Sequence, residues 1–203
     1  MHKLYPILLL IGFAFNACQK EDIEHEKRFD RSYEAWLNFK AASGNSYRYE
    51  ASGATWTGSS WLTTITVKQG RVVQRDFHYK TFNSVWMPET GWDDASLNEL
   101  LKGLGPVTEE LLEQEGHTFI ETLQWTEAES ELGIHESSPA SRIQTLDEIY
   151  QTARTQWLKK RDDAQVSFEA NNNGMISSAG FVPNGCMDDC FSGISIQSIE
   201  ALD

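Results

Sequence analysis

With 203 residues, the chain is long enough for one ordinary domain or two very small ones. Its 40% hydrophobic and 11% aromatic content lies well clear of the disordered range. The formal charge of −13 becomes −14 once residues 1–17 and their one cation, Lys3, are set aside; such a chain repels phosphate backbones, no Lys/Arg cluster stands out, and nucleic acid is not an expected partner.

Residues 1–17 read as a signal peptide. His2 and Lys3 give a short polar and basic start, and residues 4–15 form an uncharged apolar run of 12 residues. That is too short for the roughly 20 residues of a membrane-spanning helix. Phe15-Asn16-Ala17-Cys18 resembles the lipobox of bacterial lipoproteins, in which a small residue precedes the cysteine that receives lipid. Phe15 and Asn16 depart from the usual Leu and small residue. The competing reading is ordinary secretion with cleavage after Ala14, which leaves Cys18 as an odd thiol. Lys20, Glu21 and Asp22 then resemble the Lys-acidic-acidic signal that sends Bacteroidota lipoproteins to the outer face of the outer membrane. Several acyl chains on one cysteine hold a protein stably where a single chain does not. Residues 18–28, rich in Glu, Asp, Lys and His, are expected to be an acidic tether.

Residues 29–203 read as a single α+β domain. Phe29, Tyr33, Trp36, Leu37 and Lys40 follow the i, i+4, i+7, i+8 stripe of a helix lying on a sheet, with Gly44 as its C-terminal stop. Residues 46–51 alternate Tyr47 and Tyr49 with polar neighbours, as a strand does. Residues 61–67 and 71–79 form two further strands, joined by Lys68-Gln69-Gly70 as a hairpin. Residues 83–116 are broken by Pro88, Gly91, Gly103, Gly105 and Pro106 and read as an insertion at one end of the sheet, with short helices over 96–101 and 108–115. Residues 117–127 read as a strand with Phe119, Glu121, Leu123 and Trp125 on one face.

Thr145-Leu146-Asp147-Glu148 is a capping box. It opens a helix with a buried stripe of Leu146, Ile149, Tyr150, Ala153 and Trp157, ending near Lys160. Residues 165–170 and 175–182 are strands around an Asn172-Asn173-Gly174 turn. Residues 191–199 supply the last strand, with Ile194, Ile196 and Ser198 on one face. The order helix, strands, insertion, strand, helix, strands, with hairpin-length links, predicts two helices packed on an antiparallel sheet.

The Trp36 helix, Tyr47-Arg48-Tyr49, the hairpin at residues 67–72, Thr145-Leu146-Asp147-Glu148-Ile149-Tyr150 and the final hairpin resemble a group of small bacterial secreted proteins and lipoproteins classed as a domain of unknown function. The segments at residues 131–135 and 186–191 are similar to uncharacterised Bacteroidota lipoproteins. The resemblance spans roughly residues 29–80 and 125–199 and brings no activity with it.

With Cys18 lipidated, Cys186 and Cys190 remain as an even pair in an oxidising compartment and are expected to form a local disulfide. The spacing is Cys-x3-Cys, not the Cys-x2-Cys of redox enzymes. Asp188 and Asp189 inside that loop are candidate ligands for a hard cation, with turn capping as the competing role. Glu131 and His135, among Glu127, Glu129 and Glu136, are the candidates for acid–base or metal chemistry; the competing role is a solvated loop. Trp56, Trp61, Trp86 and Trp92 are candidate ligand-facing aromatics, since an exposed Trp stacks on sugar rings or anchors a protein partner. No phosphate loop, Gly-x-Ser-x-Gly, His-Glu-x-x-His or dinucleotide fingerprint occurs, and nothing calls for a cofactor. The residues therefore favour a non-enzymatic binding module for a protein or glycan, with a hydrolase or metal enzyme built on His135 as the alternative. A binding module expects exposed aromatics near residues 53–62 and 83–93. An enzyme expects His135, Glu131 and Asp188 to converge.

Overall fold

The computed structural model describes residues 22–104 and 119–202. Among them the fold is α+β: eight strands in one antiparallel sheet and four helices, the strands lying in the order Val85–Trp86, Arg71–Phe82, Ser60–Lys68, Tyr47–Ala54, Ser192–Ala201, Ser178–Pro183 and Ala164–Glu169, with Gln124–Ala128 paired to Arg71–Phe82. Cys18, Lys20, Glu21 and the helix expected over 108–115 lie outside the described residues.

Part of the segment expected to be a tether is packed on the fold. From Asp22 the chain is already docked: Ile23 is buried and pairs with Lys159, and Asp22 meets Lys160 at 2.6 Å. A lone isoleucine in a charged run is enough to seat the segment. Helix α1 (Glu26–Ala42) follows at once. It ends in a Schellman turn, in which Gly44 takes φ +59° and the Asn45 N–H donates to Lys40 O at 2.9 Å. Its buried side is Phe29, Ser32 and Trp36, whereas Tyr33 and Leu37 are 36% and 44% exposed, so the stripe is rotated from the expected one. Ser32 is tolerated there because its hydroxyl meets the Tyr150 hydroxyl at 2.8 Å.

Strands β1 (Tyr47–Ala54), β2 (Ser60–Lys68) and β3 (Arg71–Phe82) form a meander. The β2–β3 turn is the two residues Gln69 and Gly70, both at positive φ, the conformation that matches the twist of the strands it joins. Tyr47, Tyr49, Ala51, Ile65 and Val67 project from one face into the main core under α1. Trp36 stacks edge-on against Tyr47 at 5.1 Å.

The short strand β4 (Val85–Trp86) and helix α2 (Asp94–Leu104) extend the β3 edge. They build a second, smaller core of Trp92, Leu100, Phe119 and Leu123 against Tyr79 and Phe82. The strand expected over 117–127 is instead helix α3 (Phe119–Leu123) followed by β5 (Gln124–Ala128). A strand would have placed Glu121 on the same face as Phe119 and Leu123. One helical turn brings those two apolar residues together and leaves Glu121 in solvent.

Helix α4 (Leu146–Thr152) begins with the expected capping box, complete in both directions. It then changes into a π-helical turn, Ala153–Trp157, closed by the Leu158 N–H to Ala153 O at 2.9 Å. The expected α-helix to Lys160 is thus re-aimed in its last turn. Strands β6 (Ala164–Glu169), β7 (Ser178–Pro183) and β8 (Ser192–Ala201) complete the sheet. Ser198 is not the third member of the β8 core face. A bulge between Glu50 and Ala51 skips Gln197 in the pairing, so Ile199 is buried with Ile194 and Ile196.

Candidate ligand-binding groove

The polar residues singled out in the sequence fall into two separate places. His135 belongs to a network at β5. Glu127, fully buried on β5, receives Arg75 Nε at 2.9 Å and Nη2 at 2.8 Å, and the N–H groups of Gly133 and His135 at 3.0 and 2.7 Å. His135 Nδ1 lies 3.1 Å from the same carboxylate, and its ring stacks on Trp125 at 4.3 Å. Burial pushes the Glu127 carboxyl up, but Arg75 and the two N–H donors more than offset it and hold it at about 2. Arg75 also donates to Ser141 O at 3.3 Å. Glu131 is exposed and accepts the Ala128 N–H at 3.3 Å. This is a fastening for the loop at residues 129–145.

Asp188 and Asp189 lie in the loop closed by the Cys186–Cys190 disulfide, whose Cα atoms are 6.3 Å apart. Both Asp189 oxygens accept the Trp56 N–H, at 3.1 and 3.2 Å, so this acid ties the disulfide loop to the β1–β2 connection. His135, Glu131 and Asp188 are not brought together, and among the described residues no three His, Cys, Asp or Glu side chains are grouped to hold a metal ion.

The four tryptophans divide. Trp56, on the β1–β2 connection, and Trp86, on β4, are 74% and 71% exposed. The β1–β2 connection and the β3–β4 turn are joined by the Ser84 N–H to Gly58 O at 3.0 Å. Trp92 is a correction: it is buried in the second core and its Nε1 donates to Tyr79 O at 2.8 Å. Trp61 is half-buried and lines a groove.

That groove forms where the sheet splits. The β1–β8 register stops at Ser52 opposite Ser195. Beyond it β1 stays paired to β2 through Ala54 and Ser60, while β8 stays paired to β7 through Ser192 and Phe181. The two strands diverge, each held by its outer neighbour. The volume between them is about 790 Å³, within the roughly 300–1,000 Å³ usual for ligand sites. The groove is open to solvent along one side and lined mainly by neutral polar groups.

One wall is the Trp61 indole, which packs against its cross-strand partner Gly53, where a Cβ would clash with the ring. Phe191 also lines the groove, and its ring packs against Gly180, where a Cβ would clash with it too. The roof comes from the other layer. The π turn contributes Gln156 and Trp157, and the loop before α4 contributes Arg142 and Gln144. That loop is pinned by β1–β3: Tyr49 donates to Gln144 O at 2.7 Å, Tyr47 accepts the Leu146 N–H at 2.8 Å, and Thr63 accepts the Ser141 N–H at 2.9 Å. Asp189 closes the rim.

Trp157 and Phe191 were not expected at a site; Trp157 reads in the sequence as part of a core stripe. The signal that marks these rings is glycine inside strand patterns, at Gly53 and Gly180, where a missing Cβ permits a ring to pack against the backbone. Comparison with protein-family models, with curated proteins and with solved structures gives no match, so the groove has to be read from its own residues.

Proposed function

We propose that the protein is a bacterial envelope lipoprotein, anchored through lipid on Cys18 and carried to the cell surface by Lys20, Glu21 and Asp22, whose folded domain binds a glycan or protein ligand without transforming it. Two helices, α1 and α4, cover one face of the sheet in this reading, and the end that carries the groove, Trp56 and Trp86 is the working end. The observation that carries it is the groove itself: an open cleft in the sheet, walled by aromatic rings and lined by neutral hydrogen-bonding groups. The hydrolase reading finds less support: the Nδ1 of His135 is taken up by Glu127, which Arg75 already pairs, and its ring by Trp125.

Among the described residues no helix is long and apolar enough to cross a membrane, so retention in the membrane fraction tests the anchor directly. Cys18→Ala is expected to move the protein from the membrane to the soluble fraction. A variant that stays firmly membrane-bound with its N-terminal segment retained refutes the lipid anchor. Replacing Lys20, Glu21 and Asp22 together by Ala is expected to protect the domain from protease added to intact cells. The Asp22–Lys160 pair is exposed, so its loss costs little stability and does not confuse the result. Unchanged surface cleavage reduces the three residues to a spacer.

A further inference from the structure

Resting on that binding reading, we propose that the groove between β1 and β8 is a carbohydrate site for a short segment of a neutral glycan. Three features of the cleft select this ligand.

The first is the pair of walls. Trp61 and Phe191 both line the groove, packed against the backbone of Gly53 and Gly180, and Phe191 is 42% exposed. A pyranose presents an apolar face of C–H bonds ringed by hydroxyls. It therefore needs a flat aromatic surface with hydrogen-bonding groups at the perimeter. The second is the lining. Gln144 and Gln156 bring side-chain amides, each with donor and acceptor on one planar group, and Ser52 and Ser195 add hydroxyls at the split. Neighbouring sugar hydroxyls, each both donor and acceptor, match that set. The third is charge. Arg142 and Asp189 are the charged residues of the lining and leave it without net charge, and a chain of net charge −13 repels polyanions. Uronate-rich or sulfated polymers are thereby disfavoured.

A peptide strand inserted between the diverging edges is the rival occupant. Beyond the Ser52–Ser195 pair the free β1 edge runs only over Gly53 and Ala54 and the free β8 edge only over residues 192–194. That is too short a ladder to hold a strand by main-chain bonds.

The test uses the full chain extracted in a detergent without sugar groups. Affinity electrophoresis is run through gels containing one polysaccharide each: starch, xylan, mixed-linkage β-glucan, galactomannan or dextran as neutral probes, and heparin or polygalacturonate as anionic ones. At least one neutral polymer is expected to retard the protein, and its oligosaccharides to change tryptophan fluorescence. Gln156→Ala and Gln144→Ala are expected to weaken binding 10-fold or more, and Trp61→Ala to abolish it. Trp61 packs against Tyr79 at 5.8 Å, and its variant risks local misfolding. The two Gln variants avoid that risk. Leu37→Ala, on the exposed side of α1 and outside the groove, is expected to bind as the parent does.

Three outcomes overturn the proposal: no neutral polymer retards the chain, only anionic polymers do, or both Gln variants bind undiminished. If the chain then captures extended peptides from a display library and loses them on Gln156→Ala, the glycan is refuted while the binding-module reading stands. If neither class binds, both fall.

Discussion

Glu127→Gln removes a charge from the most fully buried ion pair among the described residues. In the parent, the two oxygens take a bidentate Arg75, two backbone N–H groups and the His135 ring. Arg75 and Glu127 side chains are 4% and 0% exposed, so neither partner has water to fall back on. Breaking one side of such a pair leaves an uncompensated buried guanidinium and costs about 3–5 kcal/mol. For a domain of this size each kcal/mol lowers Tm by about 2–4 °C, which predicts a fall of about 6–20 °C. Urea unfolding followed by circular dichroism at pH 7 gives the same quantity without heating. A double variant, Arg75→Met with Glu127→Gln, is expected to recover part of the loss, because it removes the unpaired guanidinium while the Gln carbonyl oxygen still accepts a backbone N–H. The pair also makes acid stability predictable. The Glu127 carboxyl sits at about 2 in the fold against an ordinary 4.5, so its stabilisation is complete above about 4.5 and disappears as pH falls from there towards 2. Glu127→Gln should lack that segment of the acid-unfolding profile. A loss below about 1 kcal/mol, or a double variant worse than the single one, refutes the reasoning.

Two further predictions probe other parts of the fold. Reducing the Cys186–Cys190 disulfide opens a loop of only five residues, for which chain entropy gives about 2 kcal/mol. Tm should fall by several degrees with the fold intact, and global unfolding on mild reduction would show that this loop organises the core. Tyr150 is held neutral by burial, pushed up to about 12, and accepts the Ile176 N–H at 2.9 Å while donating to Ser32 O at 3.0 Å. Tyr150→Phe strands that buried N–H, so urea unfolding should show a loss of about 1–3 kcal/mol, and an unchanged midpoint would mean that the contact carries nothing.

Much of the fold is legible in the chain because its signals are local. The Thr145 capping box, the Gln69-Gly70 and Asn173-Gly174 turns and the Gly44 stop each act within a few residues of themselves, and each stands where the sequence places it. Alternation in Tyr47, Tyr49, Ile65 and Val67 likewise identifies the buried side of β1 and β2 without any knowledge of their neighbours. The α+β class follows from the order of such signals.

Where the reading of the sequence departs from the structure, a distant partner decides. Phe119 and Leu123 fit a strand or a helix equally well until the second core, built by Trp92 and Leu100, draws both to one side. Ser198 loses its place on the core face of β8 to Ile199 through a bulge opposite Glu50, almost 150 residues away along the chain. Trp157 packs against the main core as its stripe predicts, and where a π turn replaces the last turn of α4 it also lines the groove. The groove itself comes from the point at which two strands, one near each end of the chain, stop pairing. Composition, caps, turns and periodicity report what a segment prefers within a span of a few residues. The place where β1 leaves β8, and the rings that lie in the gap, depend on register between segments about 140 residues apart, which packing energy sets and local preference does not.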